Sequence, residues 1–350
     1  MRILVLGDLS SYHTHLYSDT LSKLGFEVIS ASLESPLFVK TNYKKYVFRA
    51  PIGKKNFLRY FSMLPVFLNF AKKIDPDIVI SHFISNYGMI GSFIKDKKKI
   101  LSVWGSDILI VPGKSRIHKE ITKGIVRKYD LIHVDAKFVK EILSSEYEID
   151  VEKILIFPYG PRDDFLKIQH VKKKKNSFIS HRRIDPDMDP ETLIRAFKIL
   201  KERGFKNFKL IIASDGTLFK KVKDLIKIND LEDTVTLTGR VSHETLKKLL
   251  LEAEFYLSAS LSDTTSVSLL EALATGCFPI VSNIQGNKEW IQHGINGLLF
   301  QVGSSEDLAS KIEIAVSNRD IVSKGVEINK RLIKSFRPFG ENLKMMISRL

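Results

Sequence analysis

The stretch FYLSASLSDTTSVSLLEALATGCFPIVS (255–282) carries, in order, a strand, a loop, a helix and a second strand. Its ends, 255–260 and 278–282, are short apolar runs, which is the pattern of buried strands. Between them, 266–276 has helical spacing and ends at Gly276, a common helix stop. Strands that are apolar on both faces and alternate with helices form parallel sheets covered on both sides. We therefore predict an α/β fold.

The same alternation recurs along the 350 residues and falls into two series. The first predicts strands at 2–7, 26–30, 77–81, 99–104, 131–135 and 153–160, and the second at 177–180, 209–216, 234–239, 255–260, 278–282 and 297–300. A polar, basic segment (159–176) lies between them. Because single hydrophobic cores rarely grow beyond about 250–300 residues, we predict two doubly wound Rossmann-like domains, 1–165 and 166–335, facing a cleft. A C-terminal helix, 336–350, is predicted to pack back on the first domain.

The overall charge indicates an anionic partner. Lysine and arginine outnumber acidic residues by 55 to 40, which gives a net charge of +15. The basic residues are scattered, whereas nucleic-acid binding predicts clustering on one element, so we expect no nucleic-acid partner. A single cysteine, Cys277, and no Cys/His cluster with zinc spacing indicate a cytoplasmic chain without structural metal. The opening MRILVLGDLS lacks the signal-peptide pattern, and no apolar run approaches the ~20 residues of a membrane span.

Two acidic side chains frame the loop before the helix at 266–276. Ligands of parallel sheets bind at the carboxyl ends of strands, and the loop 261–267 follows a strand there. The loop also brings backbone N–H groups to a helix N-terminus, where anions bind. Asp263 and Glu271 are therefore candidates for ligand contacts. Ser268 and Glu271 also have the spacing of a capping box, which gives Glu271 a structural alternative.

The run from Asp263 to Pro279 resembles the signature of the retaining glycosyltransferases of the GT-B fold, family four. That signature has an acid, seven residues, a Glu, an Ala-rich helix, Gly and Pro. The chain keeps the spacing but has Asp263 in place of the first Glu. Other segments resemble the family in the same order along the chain: 75–79 with His82, 104–107, 180–184, 193–197, 214–216, 238–241 and 296–299.

The resemblance implies that the second domain holds a nucleotide-sugar donor. Glu271 would bind the ribose hydroxyls, Asp263 the hydroxyls of the transferred sugar, and Arg183 the diphosphate. Met188 stands where the family usually has a lysine, five residues after Arg183, and we expect Arg182 to supply that second charge. Further donor contacts are expected near the helix start and at a strand end near the nucleobase, from Thr265, Ser266, Val267, Gly239, Arg240 and Val241.

The first domain resembles the family less closely. Many members have His before Gly at the end of a strand, where this chain has Trp104 before Gly105. A tryptophan buried against the strand is favoured over a direct substrate contact. His82 and Asp107 are the polar candidates of this domain. We group His82 with Asp263 and Arg183 as a catalytic candidate, with a purely structural histidine as an equal alternative.

For the reaction, the resemblance implies retention through same-face attack, in which the leaving phosphate helps to deprotonate the acceptor. It also implies no bound metal and no cofactor beyond the nucleotide sugar. We expect a UDP-linked donor and a glycan or lipid-linked acceptor in surface polysaccharide or glycoconjugate synthesis. The alternatives are a non-catalytic relative, a relative that hydrolyses the nucleotide sugar and, less favoured, a nucleic-acid-binding protein.

Residues 54–73, KKNFLRYFSMLPVFLNFAKK, combine basic ends with an aromatic helical pattern interrupted by Pro65. Two interpretations stay open. A core-facing helix of the first domain is slightly favoured. The other is a surface that rests on an anionic membrane and meets a lipid-linked acceptor, which makes such a membrane a candidate partner.

Overall fold

The computed structural model describes residues 1–51, 57–109, 115–166 and 172–350. The chain divides into two compact units. The first unit contains Met1–Tyr159 and Arg337–Leu350, and the second unit contains Gly160–Phe336. Each unit has its own parallel sheet and its own hydrophobic core.

The sheet of the first unit has seven strands: β1 (Arg2–Leu6), β2 (Glu27–Ser32), β3 (Lys44–Val47), β4 (Ile78–His82), β5 (Lys98–Ser102), β6 (Leu131–Val134) and β7 (Ile154–Ile156). They pair in parallel in the order β3-β2-β1-β4-β5-β6-β7. The order reverses between β1 and β4, which is the position where open α/β sheets bind ligands. The predicted doubly wound sheet is confirmed for this unit.

Helices connect these strands: α1 (Tyr12–Lys23), α2 (Phe57–Ser62), α3 (Leu64–Ile74), α4 (Met89–Ser92), α5 (Ser106–Leu109), α6 (Arg116–Val126) and α7 (Lys137–Tyr147). A π-helical segment (Phe83–Gly88) precedes α4, and a 3-10 turn (Val151–Lys153) precedes β7. The start of α1 follows from the sequence, because Ser11 Oγ accepts the backbone N–H of His13 at 3.2 Å. Serine is among the preferred N-cap residues for this reason.

The sheet of the second unit has six strands: β8 (Ser177–Ser180), β9 (Lys209–Ile212), β10 (Val235–Leu237), β11 (Phe255–Ser258), β12 (Phe278–Ser282) and β13 (Leu298–Phe300). They pair in parallel in the order β10-β9-β8-β11-β12-β13. The order reverses between β8 and β11. The loops that follow these two strands are therefore the expected ligand positions of this unit.

The helices of the second unit are α8 (Asp163–Leu166), α9 (Pro190–Glu202), α10 (Phe219–Ile228), α11 (His243–Glu252), α12 (Val267–Ala274), α13 (Gln285–Lys288), α14 (Ser305–Ser317) and α15 (Arg319–Lys334). A 3-10 turn (Pro186–Met188) precedes α9. The last helix, α16 (Phe339–Ile347), belongs to the first unit, where the Phe339 ring lies 5.2 Å from the ring of Tyr17.

Both sheets are buried on their two faces, as their apolar strands predict. In the first unit the core includes Leu4, Val79 and Leu101. In the second unit it includes Phe178 and Phe255, whose stacked rings are 4.9 Å apart. Full burial of one such side chain contributes roughly 1.5–3 kcal/mol. The two cores hold the strand ends, and so the loops after them, in place.

Two details differ from the sequence prediction. Several strands end earlier than predicted, so that 213–216, 238–239 and 259–260 lie in loops, because the chain leaves the sheet there to reach the next helix. The strand β3 was not predicted. Its residues Lys44 and Lys45 lie on an edge strand, where lysine is common because it discourages further strand pairing.

The described part of 54–73 forms α2 and α3, and Pro65 lies in the first turn of α3, where proline is tolerated. Residues 54–56 lie outside the described residues. Tyr60 and Phe67 are buried in the core, so the core-facing interpretation is confirmed for that side of the helices. Phe57 and Phe61 are exposed. None of the helices in the described ranges is long and apolar enough to span a membrane.

Candidate functional site

Helix α12 begins at the carboxyl end of β11 in the second unit. Ser266 is its N-cap, with Oγ accepting the backbone N–H of Leu269 at 3.3 Å. The capping box proposed for Ser268 and Glu271 is therefore wrong, because the cap lies two residues earlier. Val267, the first residue of α12, is half-buried, and Gly276 ends the helix with a φ of +79°. Glu271 is thus free of any capping role.

The carboxylate of Glu271 is buried between an arginine and a histidine. Its Oε1 lies 3.0 Å from Arg162 Nε, and its Oε2 lies 3.2 Å from His181 Nε2, with only 3% of the side chain exposed. Oε1 accepts no aligned hydrogen bond among the described residues. Buried carboxylate oxygens normally do accept one, because leaving them without a donor costs roughly 1–3 kcal/mol or more. The Glu271 carboxylate therefore has capacity for a ligand donor.

Arg162 extends this network away from Glu271. Its Nη1 donates to His243 Nδ1, so His243 carries its proton on Nε2 and donates to Asp164 Oδ2 at 2.9 Å. Lys247 Nζ lies 2.9 Å from the same oxygen. Asp164, His243 and Glu244 have a spacing that a metal ion could use among the described residues. The neighbouring Arg162 and Lys247 already supply positive charge there, which does not suit a cation.

Asp263 is held by Arg182. The Arg182 Nη2 donates to Asp263 Oδ2 at 2.6 Å, and its Nη1 donates to Ser266 Oγ at 2.7 Å. Burial alone would lower the pKa of the Arg182 guanidinium, but the Asp263 charge and hydrogen bond outweigh it, so that the pKa is raised. Arg182 was predicted as a second charge for a diphosphate. The structure instead gives its guanidinium protein partners.

Arg183 has a different acidic partner and is 77% exposed in its side chain, and its Nη2 contacts Asp185 Oδ2 at 2.6 Å. The other oxygen of Asp185 accepts the backbone N–H of Thr217 at 2.8 Å. These Thr217 and Arg183 contacts outweigh burial and lower the pKa of Asp185. A Cβ on Gly216 would lie 2.4 Å from the Ile184 carbonyl oxygen, so this turn needs glycine. The loop after β8 is therefore fixed, with one exposed guanidinium available to an anion.

The loop that carries Asp263 is also fixed from α13. A Cβ on Gly286 would lie 1.9 Å from the Thr264 carbonyl oxygen, so the backbones approach more closely than any other residue would allow. Trp290 Nε1 donates to Thr265 Oγ1 at 3.2 Å. Thr265 is buried by this contact. The contacts of Gly286 and Trp290 together define the position of the loop before α12.

The residues expected near the nucleobase follow β10. Gly239 has a φ of +71°, a backbone conformation that favours glycine, and an added Cβ there would only meet the ring of Phe219 at 3.8 Å. Arg240 is exposed and Val241 is half-buried. These residues present an open, mixed apolar and basic surface.

In the first unit, Trp104 and His82 form a hydrogen-bonded pair after β4 and β5. Trp104 Nε1 donates to His82 Nδ1 at 3.0 Å, and the two rings meet edge to face. His82 is fully buried, and burial, reinforced by His133 and His13, lowers its pKa well below the usual value. His82 is therefore neutral, with the proton on Nε2. Its Nε2 has no hydrogen-bond partner among the described residues.

Asp107 joins two segments of the first unit. Its carboxylate accepts the backbone N–H groups of Ile84 at 2.9 Å and Trp104 at 3.0 Å, and the side chain is fully buried. Burial raises the pKa of Asp107 to about 6, against the lowering effect of these hydrogen bonds. It was predicted as a polar residue lining a cleft. Its observed contacts hold the loops after β4 and β5 together.

The sequence prediction missed two partners of Glu271. Arg162 lies in the polar segment 159–176, and His181 lies in the segment 180–184, but neither was predicted to contact a ligand or Glu271. Neither has a local signal, because their contacts with Glu271 span 109 and 90 positions along the chain. The structure brings Asp263, Glu271, Arg182, Thr265, Ser266 and Val267 together around the start of α12, with Arg183 on the adjoining loop. His82, Trp104 and Asp107 form a separate cluster in the first unit.

Two family models match the chain. The model described as glycosyl transferases group 1 matches residues 161–336, about half of the chain. The model described as glycosyl transferase 4-like matches residues 2–136. Both matches agree with the predicted family.

Several known proteins are similar to the chain. An uncharacterised glycosyltransferase of Methanocaldococcus jannaschii is 26% identical over 74% of this chain and 71% of its own length. The amylovoran biosynthesis glycosyltransferase of Erwinia amylovora is 25% identical over 74% of this chain and 67% of its own. The alpha-monoglucosyldiacylglycerol synthase of Streptococcus pneumoniae is 24% identical over 62% and 54%. Among solved structures, Anabaena HepE in complex with UDP-glucose superposes with a TM-score of 0.81 at 14% identity, covering 100% of this chain and 99% of that one. At that identity the likeness shows the fold, which is GT-B.

Proposed function

The chain belongs to the glycosyl transferases group 1 family and is a glycosyltransferase, and we propose that its second unit binds a nucleotide-sugar donor around the start of α12. One observation carries this proposal. The Glu271 carboxylate is buried beside Arg162 and His181, yet its Oε1 accepts no aligned hydrogen bond from the described parts of the chain. The two hydroxyls of a ribose are suitable donors for such a group, because carboxylates accept strong, short hydrogen bonds.

The neighbouring residues suggest a division of roles. Asp263 takes hydroxyls of the transferred sugar, and the exposed Arg183 takes the diphosphate. A planar guanidinium matches phosphate oxygens two at a time. Backbone N–H groups at the start of α12 add to the attraction, since a helix N-terminus contributes roughly 0.3–1 kcal/mol toward an anion. Gly239, Arg240 and Val241 flank the base.

The reaction follows from this arrangement. Breaking the bond between sugar and diphosphate places negative charge on the leaving phosphate, and Arg183 stabilises that charge. Removing a preorganised donor of this kind typically costs ~2.7–4 kcal/mol in the transition state. We propose same-face attack with retention of configuration, in which the leaving phosphate accepts the proton of the acceptor hydroxyl. This route requires neither a bound metal nor a strong protein base, and His82 is then not needed as one.

We propose UDP as the nucleotide and a glycan or a lipid-linked sugar as the acceptor. The UDP-glucose complex of the structurally similar HepE supports the nucleotide. The amylovoran and monoglucosyldiacylglycerol enzymes among the relatives support polysaccharide or glycolipid synthesis. The exposed Phe57, Leu58 and Phe61 of α2 support contact with a membrane that carries a lipid-linked acceptor.

The donor proposal is tested by thermal-shift and calorimetric titration of the intact chain with UDP-, GDP- and ADP-linked sugars. We expect saturable binding of one of them, weakened at least ~10-fold by Arg183→Ala, the size of losing a charge-assisted contact. Arg203→Ala is the matched control, because Arg203 forms surface ion pairs with Glu306 and Glu313 of the same unit. No saturable binding, or equal binding by both variants, would contradict the proposal. NMR of the anomeric proton in the product tests retention, and free sugar released without an acceptor would indicate a hydrolase.

The membrane contact is tested by flotation with vesicles that contain anionic lipid. We expect the intact chain to float at low salt and the double variant Phe57→Ser, Phe61→Ser to stay in the lower fractions. Ile228→Ser is the control, because Ile228 is an exposed apolar residue of the second unit. Flotation that is the same for all three proteins would argue against α2 as the contact.

A further inference from the structure

The Arg182 guanidinium is enclosed by protein groups, with 15% of its side chain exposed. Nη2 donates to Asp263 Oδ2 at 2.6 Å, and Nη1 donates to Ser266 Oγ at 2.7 Å and Ser268 Oγ at 3.2 Å. Nε lies 3.2 Å from the sulfur of Met188. The five N–H groups of a guanidinium diverge in a plane, and here they reach an acid, two serines and a thioether. Arg182 therefore has little capacity left for a phosphate.

The Asp263 carboxylate, by contrast, keeps capacity for a ligand. Its Oδ2 accepts from Arg182, and its Oδ1 accepts the backbone N–H of Thr264 at 2.9 Å. Each carboxylate oxygen can accept two hydrogen bonds, so the described residues leave one position on each. About a fifth of the side chain is exposed, since its relative exposure is 20%. The two remaining positions suit two hydroxyl donors on one ligand.

Met188 fills the space on the other side of Arg182. Its sulfur lies 2.7 Å from Arg182 Nη2, the same nitrogen that contacts Asp263, and 3.3 Å from Ser260 Oγ. Methionine is neutral, unbranched and a weak acceptor. A charged side chain of similar length at this position would bring its charge against the guanidinium.

We propose that Arg182 is a positioning residue for the donor sugar: it fixes the Asp263 carboxylate and, through Ser266, the start of α12, with Met188 as its neutral neighbour. This proposal rests on the proposed function, because the sugar hydroxyls are the ligand of Asp263. Of positions 182 and 188, only position 182 then supplies a cation to Asp263. The charges of Arg182 and Asp263 cancel, so the protein surface that faces the sugar has a net charge close to zero beside the negative diphosphate.

The packing predicts that a lysine at position 188 can replace the arginine at position 182 as the cation that contacts Asp263. Met188→Lys alone places an ammonium group against Arg182, and the like charges repel each other. When Arg182 is replaced by Gln, the same lysine reaches Asp263, because Arg182 Nη2 contacts both the Met188 sulfur and the Asp263 carboxylate. The two substitutions should therefore be strongly non-additive, as expected for residues in contact.

The first experiment is calorimetric titration of the intact chain with UDP and UDP-glucose, or with the pair of nucleotide sugar and nucleoside diphosphate that the donor screen selects. We expect Arg182→Gln to weaken binding of the nucleotide sugar by roughly 10–100-fold and of the diphosphate by less than about 3-fold. A merely structural role would weaken both equally, and that result would overturn the proposal. Arg203→Gln is the control, because Arg203 pairs with Glu306 and Glu313 outside this arrangement, and we expect both affinities to match the wild type.

The second experiment compares melting temperatures of wild type, Arg182→Gln, Met188→Lys and the double variant without ligand. We expect Met188→Lys to lower the melting temperature by roughly 5 °C in the wild-type background and by less than about 2 °C in the Arg182→Gln background. The double variant should also recover nucleotide-sugar affinity to within about 3-fold of wild type. Additive effects on melting and binding would overturn the proposal. If wild type binds no nucleotide sugar, the proposed function fails. The melting temperatures still measure the coupling between positions 182 and 188.

Discussion

The buried histidines of β4 and β6 in the first unit are neutral, whereas the acids around α12 in the second unit form ion pairs. In the first unit, burial lowers the pKa of His82 well below its usual value and that of His133 to about 4, so both are uncharged near neutral pH. In the second unit, Arg182 contacts Asp263 at 2.6 Å and Arg162 contacts Glu271 at 3.0 Å.

This difference agrees with the proposed donor site in the second unit. Burying an ion pair costs desolvation energy, and a well-packed apolar pair is often equally stable, so stability alone gives little reason to keep one. In the first unit, His133 satisfies both of its ring nitrogens without carrying a charge. His133 Nδ1 accepts from Tyr17 at 2.6 Å, and its Nε2 donates to the Phe157 carbonyl at 2.8 Å. The proposed donor site would give the ion pairs around α12 a role in binding polar and anionic groups.

The largest effect is expected from removing the charge of Glu271. Glu271→Gln leaves Arg162 and His181 without their buried anion, and we expect the second unit to lose about 2–4 kcal/mol of unfolding free energy. UDP affinity should fall at least ~10-fold, and both quantities are measured by urea unfolding and calorimetry. Glu306→Gln is the control, since its exposed pair with Arg203 should contribute below about 1 kcal/mol. Wild-type values for both quantities in Glu271→Gln would remove the basis of the comparison.

Gly286→Ala tests whether the loop position matters as much as the charge. The new Cβ would lie 1.9 Å from the Thr264 carbonyl oxygen, so the loop must shift, and we expect a loss of about 1–3 kcal/mol together with weaker donor binding. Gly124→Ala in α6 is the matched control. It meets nothing within 4 Å and should be neutral or stabilising by up to about 1 kcal/mol. Equal thermal unfolding curves for both variants would argue against a constrained loop.

The uncharged His82 and His133 predict that the first unit loses stability in acid. The folded-state pKa of His133 is about 4, against 6.5 for an unperturbed histidine, so the unfolded chain binds more protons between these values. Stability should therefore fall as pH drops from 7 to 5, by on the order of 2 kcal/mol from His133 alone. His82 acts in the same direction. Asp107 opposes them, because its raised pKa of about 6 favours the folded chain as pH falls through that value.

Urea unfolding at pH 7 and pH 5 measures this dependence. His133→Asn should reduce the fall in stability between the two pH values, and Asp107→Asn should steepen it. If His133→Asn has the same pH dependence as wild type, the histidine is not held neutral in the folded chain.

The smallest effects are expected from replacing either tryptophan by phenylalanine. Trp104→Phe removes the hydrogen bond to His82, and we expect the first unit to lose about 1 kcal/mol with UDP affinity unchanged. Trp290→Phe removes the hydrogen bond to Thr265 in the second unit at a similar cost in stability. Because Thr265 lies beside Asp263, this variant should also weaken donor binding. If calorimetry shows weaker UDP binding for Trp104→Phe and unchanged binding for Trp290→Phe, the donor does not bind in the second unit as proposed.

Much of the fold could be predicted because its signals are local. The apolar runs at 177–180 and 278–282 coincide with β8 and β12, and Gly276 ends α12. The edge strand β3 lacks that signal, because half of its residues are lysine and its pairing with β2 is not written in its own sequence. Local patterns predict strands that are apolar runs, including the edge strands β7, β10 and β13, and miss β3, which is not such a run.

The site was predictable in outline only. Asp263 and Glu271 were identified from their spacing, but the choice between Ser266 and Ser268 as cap depends on backbone angles that two nearby serines do not reveal. The partners of both acids depend on contacts between distant segments. Arg162 contacts Glu271 across 109 positions, and Arg182 contacts Asp263 across 81. No pattern in the sequence distinguishes the buried Arg182 from the exposed Arg183.

The central claim, that the second unit is the donor-binding part of the chain, is tested most directly by hydrogen exchange of the intact protein with and without saturating UDP. We predict slower exchange at 181–185 and 260–272, the loops after β8 and β11 and the start of α12. In Glu271→Gln, the same UDP concentration should leave exchange in these segments close to that of the free protein. Protection confined to 82–107 of the first unit, or no protection at 260–272, would contradict the account.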